Sequence, residues 1–177
     1  MKKTILFDLD GTLLLDESKR MDPRTVNSIQ RAMAQGMHVV IASGRDKNGC
    51  KFVYEPLGLE NGNHFLALVN GQIIYDFENK EYDLDDVLTT EDGIKIQKVC
   101  KEFGVEGIFQ CGYDFYSYIS SLNRVKKKVK NAIFGELDDY GLKDGKENRN
   151  FIDLPFEEIR LTQDINKVIM VHSPRFF

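Results

Sequence analysis

K-T-I-L-F-D-L-D-G-T-L-L, residues Lys3 to Leu14, is the stretch from which the rest of the chain is read. Ile5, Leu6 and Phe7 carry two aspartates, Asp8 and Asp10, to a glycine. An apolar run bounded in this way predicts a buried strand of a parallel sheet. Side chains alternate along a strand, so Asp8 and Asp10 are expected on one side and Leu9 on the other. Gly11 permits a sharp turn where the strand ends. Two carboxylates at the carboxyl end of a parallel strand stand where open α/β sheets bind ligands. Like charges this close repel, and they coexist if a cation sits between them or if one holds a proton. Mg²⁺ suits such oxygen ligands, taking one or two carboxylates, several waters and phosphate oxygens. With the metal present, Asp8 can attack phosphorus and Asp10 can move protons.

D-L-D-G-T-L-L resembles the first motif of the haloacid dehalogenase superfamily of phosphohydrolases. The resemblance implies that Asp8 becomes an aspartyl-phosphate and that Asp10 is the general acid/base. It also implies that both are Mg²⁺ ligands, Asp10 through its backbone carbonyl, and that amides around Leu9 and Gly11 help to hold the phosphoryl group. The presence of Asp10 resembles the phosphatases and mutases rather than the dehalogenases.

A second apolar run, Val39-Val40-Ile41, leads into Ala42-Ser43-Gly44-Arg45-Asp46. A small hydroxyl residue and a glycine between a strand and a helix suit phosphate binding: the hydroxyl donates, the glycine allows close approach, and a helix N-terminus favours an anion. A-S-G-R is similar to the second motif of the Cof-type branch, commonly A-T-G-R. The resemblance implies that Ser43 and the backbone of Gly44 bind the transferring phosphoryl group. Arg45 either orders this loop or helps to bind substrate.

Between these runs, the polar connector after Thr12 is expected to form a flap over the site. Asp22 then Pro23 predicts a helix start. Val26, Ile29, Ala32 and Met33 supply its apolar face, and Gly36 its stop. Cys50, Val53, Tyr54 and Leu57 mark a second crossover helix ended by Gly58, with Cys50 a core residue rather than a nucleophile. His38, His64 and His172 read as structural or surface histidines. Phe65 to Val69 is a third strand, and Asn70-Gly71 joins it as a hairpin to Gln72 to Tyr75. The family has an N-G at this point as well. A further turn near Glu78 leads to Glu81-Tyr82-Asp83.

Around Leu84 the pattern changes from buried strands to amphipathic helices and half-polar aromatic strands, which predicts a boundary: residues 1–83 as the N-terminal part of the core and 84–177 as an α/β cap. Thr89-x-x-Asp92 resembles a capping box. Ile96, Val99, Cys100 and Phe103 are expected to line one helical face. Ile108 to Cys111 and Phe115 to Ile119 read as a hairpin. Ser121 is expected to cap a last helix with a buried stripe of Leu122, Val125, Val129, Ala132 and Ile133. The lysines Lys126, Lys127, Lys128 and Lys130 then fall on its solvated face, with an anion-attracting patch as the alternative. Glu136 to Asn150 reads as a loop, and Phe151 to Pro155 and Lys167 to Val171 as the last structured pieces.

The 177 residues are 42% hydrophobic and 29% charged, a soluble globular composition. A net charge of −4 gives no support to a nucleic-acid partner. The three cysteines, Cys50, Cys100 and Cys111, form no C-x-x-C and fit reduced, buried thiols in a cytosol. The apolar stretch before Asp8 is too short for a signal peptide or a membrane span. Nothing in the sequence fixes an oligomeric state.

The fold expected is α/β, a Rossmann-like parallel-sheet core, incomplete at the C-terminus, with an inserted α/β cap. The function that the resemblance implies is Mg²⁺-dependent, Cof-type phosphatase action on small phosphorylated metabolites such as sugar phosphates. In the family a bridging lysine and a G-D-x-x-N-D motif follow the cap; neither has a counterpart before Phe177. The expectation is therefore a truncated or frame-shifted relative. The alternatives are an inactive fragment or phosphate-binding module, or a chain completed by a second one.

Overall fold

Thr4–Asp8 (β1) pairs in parallel with His38–Ala42 (β2), Thr4 opposite His38 and Asp8 opposite Ala42. β2 pairs in parallel with Phe65–Leu68 (β3), which turns back through antiparallel Ile73–Asp76 (β4) and Glu81–Leu84 (β5). The sheet order is β1-β2-β3-β4-β5. The computed structural model describes residues 3–14, 20–84, 86–112, 114–134, 150–158, 161 and 163–171. The chain divides into two compact units, Met1–Asp86 and Val87–Phe177.

The parallel β1-β2-β3 arrangement follows from the crossover helices between the strands. Pro23–Ala34 (α1) starts where the Asp22 carboxylate accepts the Arg24 N–H at 2.8 Å, with Pro23 at its first position. Ile29 is its buried residue, with Val26 and Met33 packed beside it. Lys51–Leu57 (α2) follows a 3₁₀ turn at Asn48–Cys50 and ends at Gly58, whose φ of 73° is the left-handed cap that glycine adopts most readily. Cys50 is fully buried, and burial pushes its thiol up to about 12, which makes it inert as a nucleophile. Leu9, Val39, Ile41, Val53, Leu57, Leu66 and Leu68 form the core of this unit.

β1 corrects the expectation of a buried strand. It is the edge of the sheet; Leu6 is 62% exposed, and Ile5 and Phe7 are half-buried. The reason is the sheet order: β1 pairs with β2 alone among the described residues. The histidines have partners that the sequence did not reveal. His64 is buried and its Nδ1 accepts the Val39 N–H at 3.1 Å, while His38 Nδ1 lies 2.6 Å from the Asn63 carbonyl oxygen. His172 lies outside the described residues.

The second unit holds a four-stranded sheet of its own. Glu106–Cys111 (β6) and Asp114–Tyr118 (β7) form the expected hairpin; Asn150–Leu154 (β8) joins β7 in parallel and Lys167–Val171 (β9) joins β6 antiparallel. Phe109 and Tyr118, both fully buried, meet edge to face at 5.4 Å. Thr90–Phe103 (α3) carries the capping box between Thr89 and Asp92. Its buried face, however, is Gly93, Gln97 and Cys100, while Val99 and Phe103 are exposed. Gly93 lies against Ile165 and Leu161: a Cβ there would fall 2.1 Å from Ile165 Cδ1 and 3.0 Å from Leu161 Cδ1, so the Ile165 side chain would have to shift to admit one. Gln97 tolerates burial because its side-chain amide donates to the Phe156 carbonyl.

Ser121–Phe134 (α4) brings two further corrections. Ser121 is the first helical residue, and Ser120 is the cap, its Oγ accepting the Asn123 N–H. The stripe expected to be buried is open: Leu122, Val125 and Val129 are 66%, 58% and 52% exposed. Helical spacing fixes which residues share a face but not whether another element covers it. Lys126 is exposed; the side chains of Lys127, Lys128, Lys130, Ala132 and Ile133 lie outside the described residues, as do residues 15–19 of the expected flap and 135–149 of the expected loop.

Candidate active site

Asp8 ends β1 opposite Ala42 at the end of β2, so the loops after these strands emerge side by side. In the first loop Leu9 is fully buried while Asp8 and Asp10 are exposed, the alternation that the strand period predicts. The Leu9 carbonyl accepts the N–H groups of Leu13 and Leu14 at 3.1 and 3.0 Å. Gly11, at φ 86°, turns the chain so that its own N–H donates to the Leu14 carbonyl at 2.8 Å. The Gly11 amide is thus engaged within the loop, and the residue serves as its turn. Thr12, given no role by sequence reasoning, donates from Oγ1 to Asp8 Oδ2 at 3.1 Å.

The second loop is built from buried groups. Ser43 is 7% exposed, its N–H donates to the Ala67 carbonyl at 2.8 Å, and its Oγ accepts the Arg45 N–H at 3.2 Å. Asp46 is buried and accepts the Gly49 N–H at 2.7 Å. Gly44 lies between Ser43 and Arg45, partly exposed. The Asn70-Gly71 turn does more than reverse the chain. The Val69 N–H donates to the Arg45 carbonyl at 3.0 Å and the Asn70 N–H to the Ser43 carbonyl at 3.2 Å. Val69 and Asn70 take φ of 52° and 62° to make these bonds; for a β-branched residue that is strain, held by the surrounding structure.

Arg45 joins the two loops. Its Nε donates to Asp10 Oδ2 at 3.0 Å and its Nη2 to Asp10 Oδ1 at 2.8 Å. The pair spans 35 positions of sequence and exists because β1 and β2 are parallel neighbours. Lys47, also unmarked in the sequence, places Nζ 3.5 Å from the centre of the Tyr75 ring, with Phe77 and Tyr82 each 5.9 Å away. These cation–π contacts tie the end of the second loop to the β4–β5 hairpin.

Asp8 and Asp10 offer exposed oxygen donors, the type that a hard divalent cation takes while keeping several waters. Among the described residues no set of three or more His, Cys, Asp or Glu gathers around them. The donors fit Mg²⁺ held by few protein ligands, with water and a phosphate oxygen completing its shell.

A sequence profile of haloacid dehalogenase-like hydrolases matches residues 5–173. A protein of Streptococcus pyogenes serotype M6, provisionally named a phosphatase, is 33% identical over 124 residues, which cover 66% of this chain and 45% of that protein. The crystal structure of a haloacid dehalogenase-like hydrolase from Bacteroides thetaiotaomicron superposes with a TM-score of 0.69 at 21% identity, over 97% of this chain and 59% of that one. The HAD subclass IIB sugar phosphatase BT4131 superposes with a TM-score of 0.65 at 21% identity, over 93% of this chain and 56% of its own. This chain thus spans about half the length of the relatives it matches. Those structures share its fold, and the profile, covering nearly its whole length, establishes that the chain belongs to the haloacid dehalogenase-like hydrolase family.

Proposed function

We propose that the chain carries the phosphate-handling half of a Mg²⁺-dependent, Cof-type phosphohydrolase for small phosphorylated metabolites. The observation that supports this most is the pairing of Asp8 and Asp10 with Ser43 at the ends of adjacent parallel strands. Asp8, oriented by Thr12, attacks phosphorus; the bond from phosphorus to the ester oxygen breaks, and Asp10 gives that oxygen a proton. Water then attacks the aspartyl-phosphate, Asp10 takes its proton, and phosphate leaves with Asp8 restored. The Ser43 hydroxyl and the backbone of Leu9 and Gly44 hold the phosphoryl oxygens. Mg²⁺, held by Asp8 and the Asp10 carbonyl, would offset the negative charge of the phosphoryl group.

The second unit, in this reading, is the α/β cap that selects the leaving group, with the boundary between core and cap near Leu84. A sugar phosphate or similar metabolite is the substrate class, supported by the sugar phosphatase among the structural neighbours. No helix among the described residues is long and apolar enough to cross a membrane. The three buried thiols suit a reducing compartment, and we place the protein in the cytoplasm.

The test is hydrolysis of p-nitrophenyl phosphate with and without Mg²⁺, beside an Asp8→Asn control. Turnover that needs Mg²⁺ and vanishes in the variant supports the reading. Equal, negligible rates in both overturn it and leave a phosphate-binding module or inactive fragment, which inorganic phosphate binding would then distinguish.

A further inference from the structure

We propose that Arg45 is a positioning residue, acting on the proton acceptor of the second chemical step through Asp10; this rests on the phosphatase reading above. A guanidinium fork reaching both oxygens of one carboxylate fixes the plane of that carboxylate as well as its location. Arg45 makes that fork at 2.8 and 3.0 Å. The burial is asymmetric: the Arg45 side chain is 15% exposed and that of Asp10 57%. Arg45 is therefore the anchor, and Asp10 is the end presented to solvent, where substrate and water arrive.

The anchor is itself held from several directions. Its N–H donates to Ser43 Oγ, and its carbonyl accepts from Val69 in the strained turn. Its guanidinium carbon lies 5.6 Å from the centre of the Phe52 ring. An ion pair with a half-exposed partner contributes little to stability, so this arrangement acts mainly on geometry.

Asp10 bears unequally on the two steps when the ester has a good leaving group: p-nitrophenolate is a weak base that departs without needing a proton, whereas the water that attacks the aspartyl-phosphate must give one up to a correctly placed acceptor. In that second step the water oxygen bonds to phosphorus. The bond between phosphorus and the Asp8 oxygen breaks, its electron pair returns to Asp8, and the water proton passes to Asp10. Misplacing a reacting group by about 1 Å costs up to ~10²-fold. Removing the fork should therefore slow hydrolysis of the aspartyl-phosphate more than its formation from an ester with a good leaving group.

The experiment is rapid-quench hydrolysis of p-nitrophenyl phosphate with Mg²⁺ by the full chain, Arg45→Met and Arg45→Lys, with acid-trapped phosphoprotein counted in each. The expected result for Arg45→Met is a burst of p-nitrophenolate approaching one equivalent, then a steady rate slowed ~10-fold to 10²-fold, with phosphoprotein accumulating. Arg45→Lys, which keeps the charge and loses the fork, should also show the burst. It guards against a Met variant that fails to fold, and melting curves identify that case. Loss of formation and hydrolysis in equal measure, without phosphoprotein, overturns the positioning role while the phosphatase reading stands. Wild type without turnover or phosphoprotein overturns both.

Discussion

Asp8 and Asp10 stand in a loop that is mostly exposed and held by its own residues; Ser43 and Arg45 stand on the neighbouring strand in a loop that is largely buried and held by others. The first loop closes on itself through the Leu9 and Leu14 carbonyls. The second is gripped from β3 and the turn after it, through Ala67, Val69 and Asn70. In the proposed reading the two loops divide the work of a site. Exposed carboxylates keep room for a cation, water and substrate, whereas groups that orient a phosphate serve best where they cannot move. The Arg45–Asp10 fork is the point where the held loop steadies the open one.

If that division is right, substitutions in the first loop should change chemistry without changing stability. Asp10→Asn keeps the shape of the side chain and one acceptor for Arg45 but loses the proton-transfer group. We expect kcat to fall by ~10²- to 10⁴-fold, while stability shifts by less than about 1 kcal/mol because the ion pair is half-exposed. Chemical denaturation and steady-state kinetics on one preparation check both. A large loss of stability would break the comparison, since the first loop would then be structural.

The second loop should behave the opposite way. Asn70→Ala puts a side chain less tolerant of left-handed backbone at φ 62°. The expected cost is about 1 kcal/mol of stability, with Asn70→Gly restoring it. Equal melting temperatures for Asn70→Ala and wild type would mean that the turn does not grip the loop.

What could be read from sequence divides along the same line. D-L-D-G-T and S-G-R were legible because each is local: the strand, the turn residue and the reactive groups fall within a few positions. The contacts that organise them were not, because they join residues distant in sequence. Arg45 reaches Asp10 only once β1 and β2 are set in register, and Lys47 meets Tyr75 and Tyr82 only through the antiparallel hairpin. In the second unit the apolar spacing of α3 pointed to Ile96, Val99, Cys100 and Phe103, yet Val99 and Phe103 are exposed and the buried face runs through Gly93, Gln97 and Cys100, with Ile165 packed against Gly93. Periodicity records the affinity of a face for an apolar neighbour, and the position of that neighbour is tertiary information.

A smaller effect is expected at Thr12, whose hydroxyl donates to the exposed Asp8. Thr12→Val removes that hydrogen bond and keeps the side-chain shape. A neutral donor to a solvent-accessible carboxylate is worth about 0.5–1 kcal/mol, so kcat should fall roughly twofold to fivefold with stability unchanged. Thr12→Ser, retaining the hydroxyl, should recover most of the rate. A variant as slow as Asp10→Asn would show that Thr12 does more than orient Asp8.

The smallest effect belongs to the opposite end of the strand that carries the second loop. There His64 Nδ1 accepts the N–H of Val39 near the start of β2, and burial, with the nearby His38 adding to it, pushes the His64 pKa down. The folded protein therefore binds fewer protons at His64 than the unfolded chain as pH falls through the ordinary histidine range. Stability from this group is fully present above about pH 6.5 and declines as pH drops toward the lowered folded value, because protonation must break the acceptor role of Nδ1. Denaturation midpoints between roughly pH 5 and pH 8 should fall on the acid side in the wild type. They should fall less in His64→Asn, which keeps an acceptor near Nδ1 and does not titrate. Identical profiles for the two proteins would remove His64 from the account and leave the second loop gripped only from β3 and its turn.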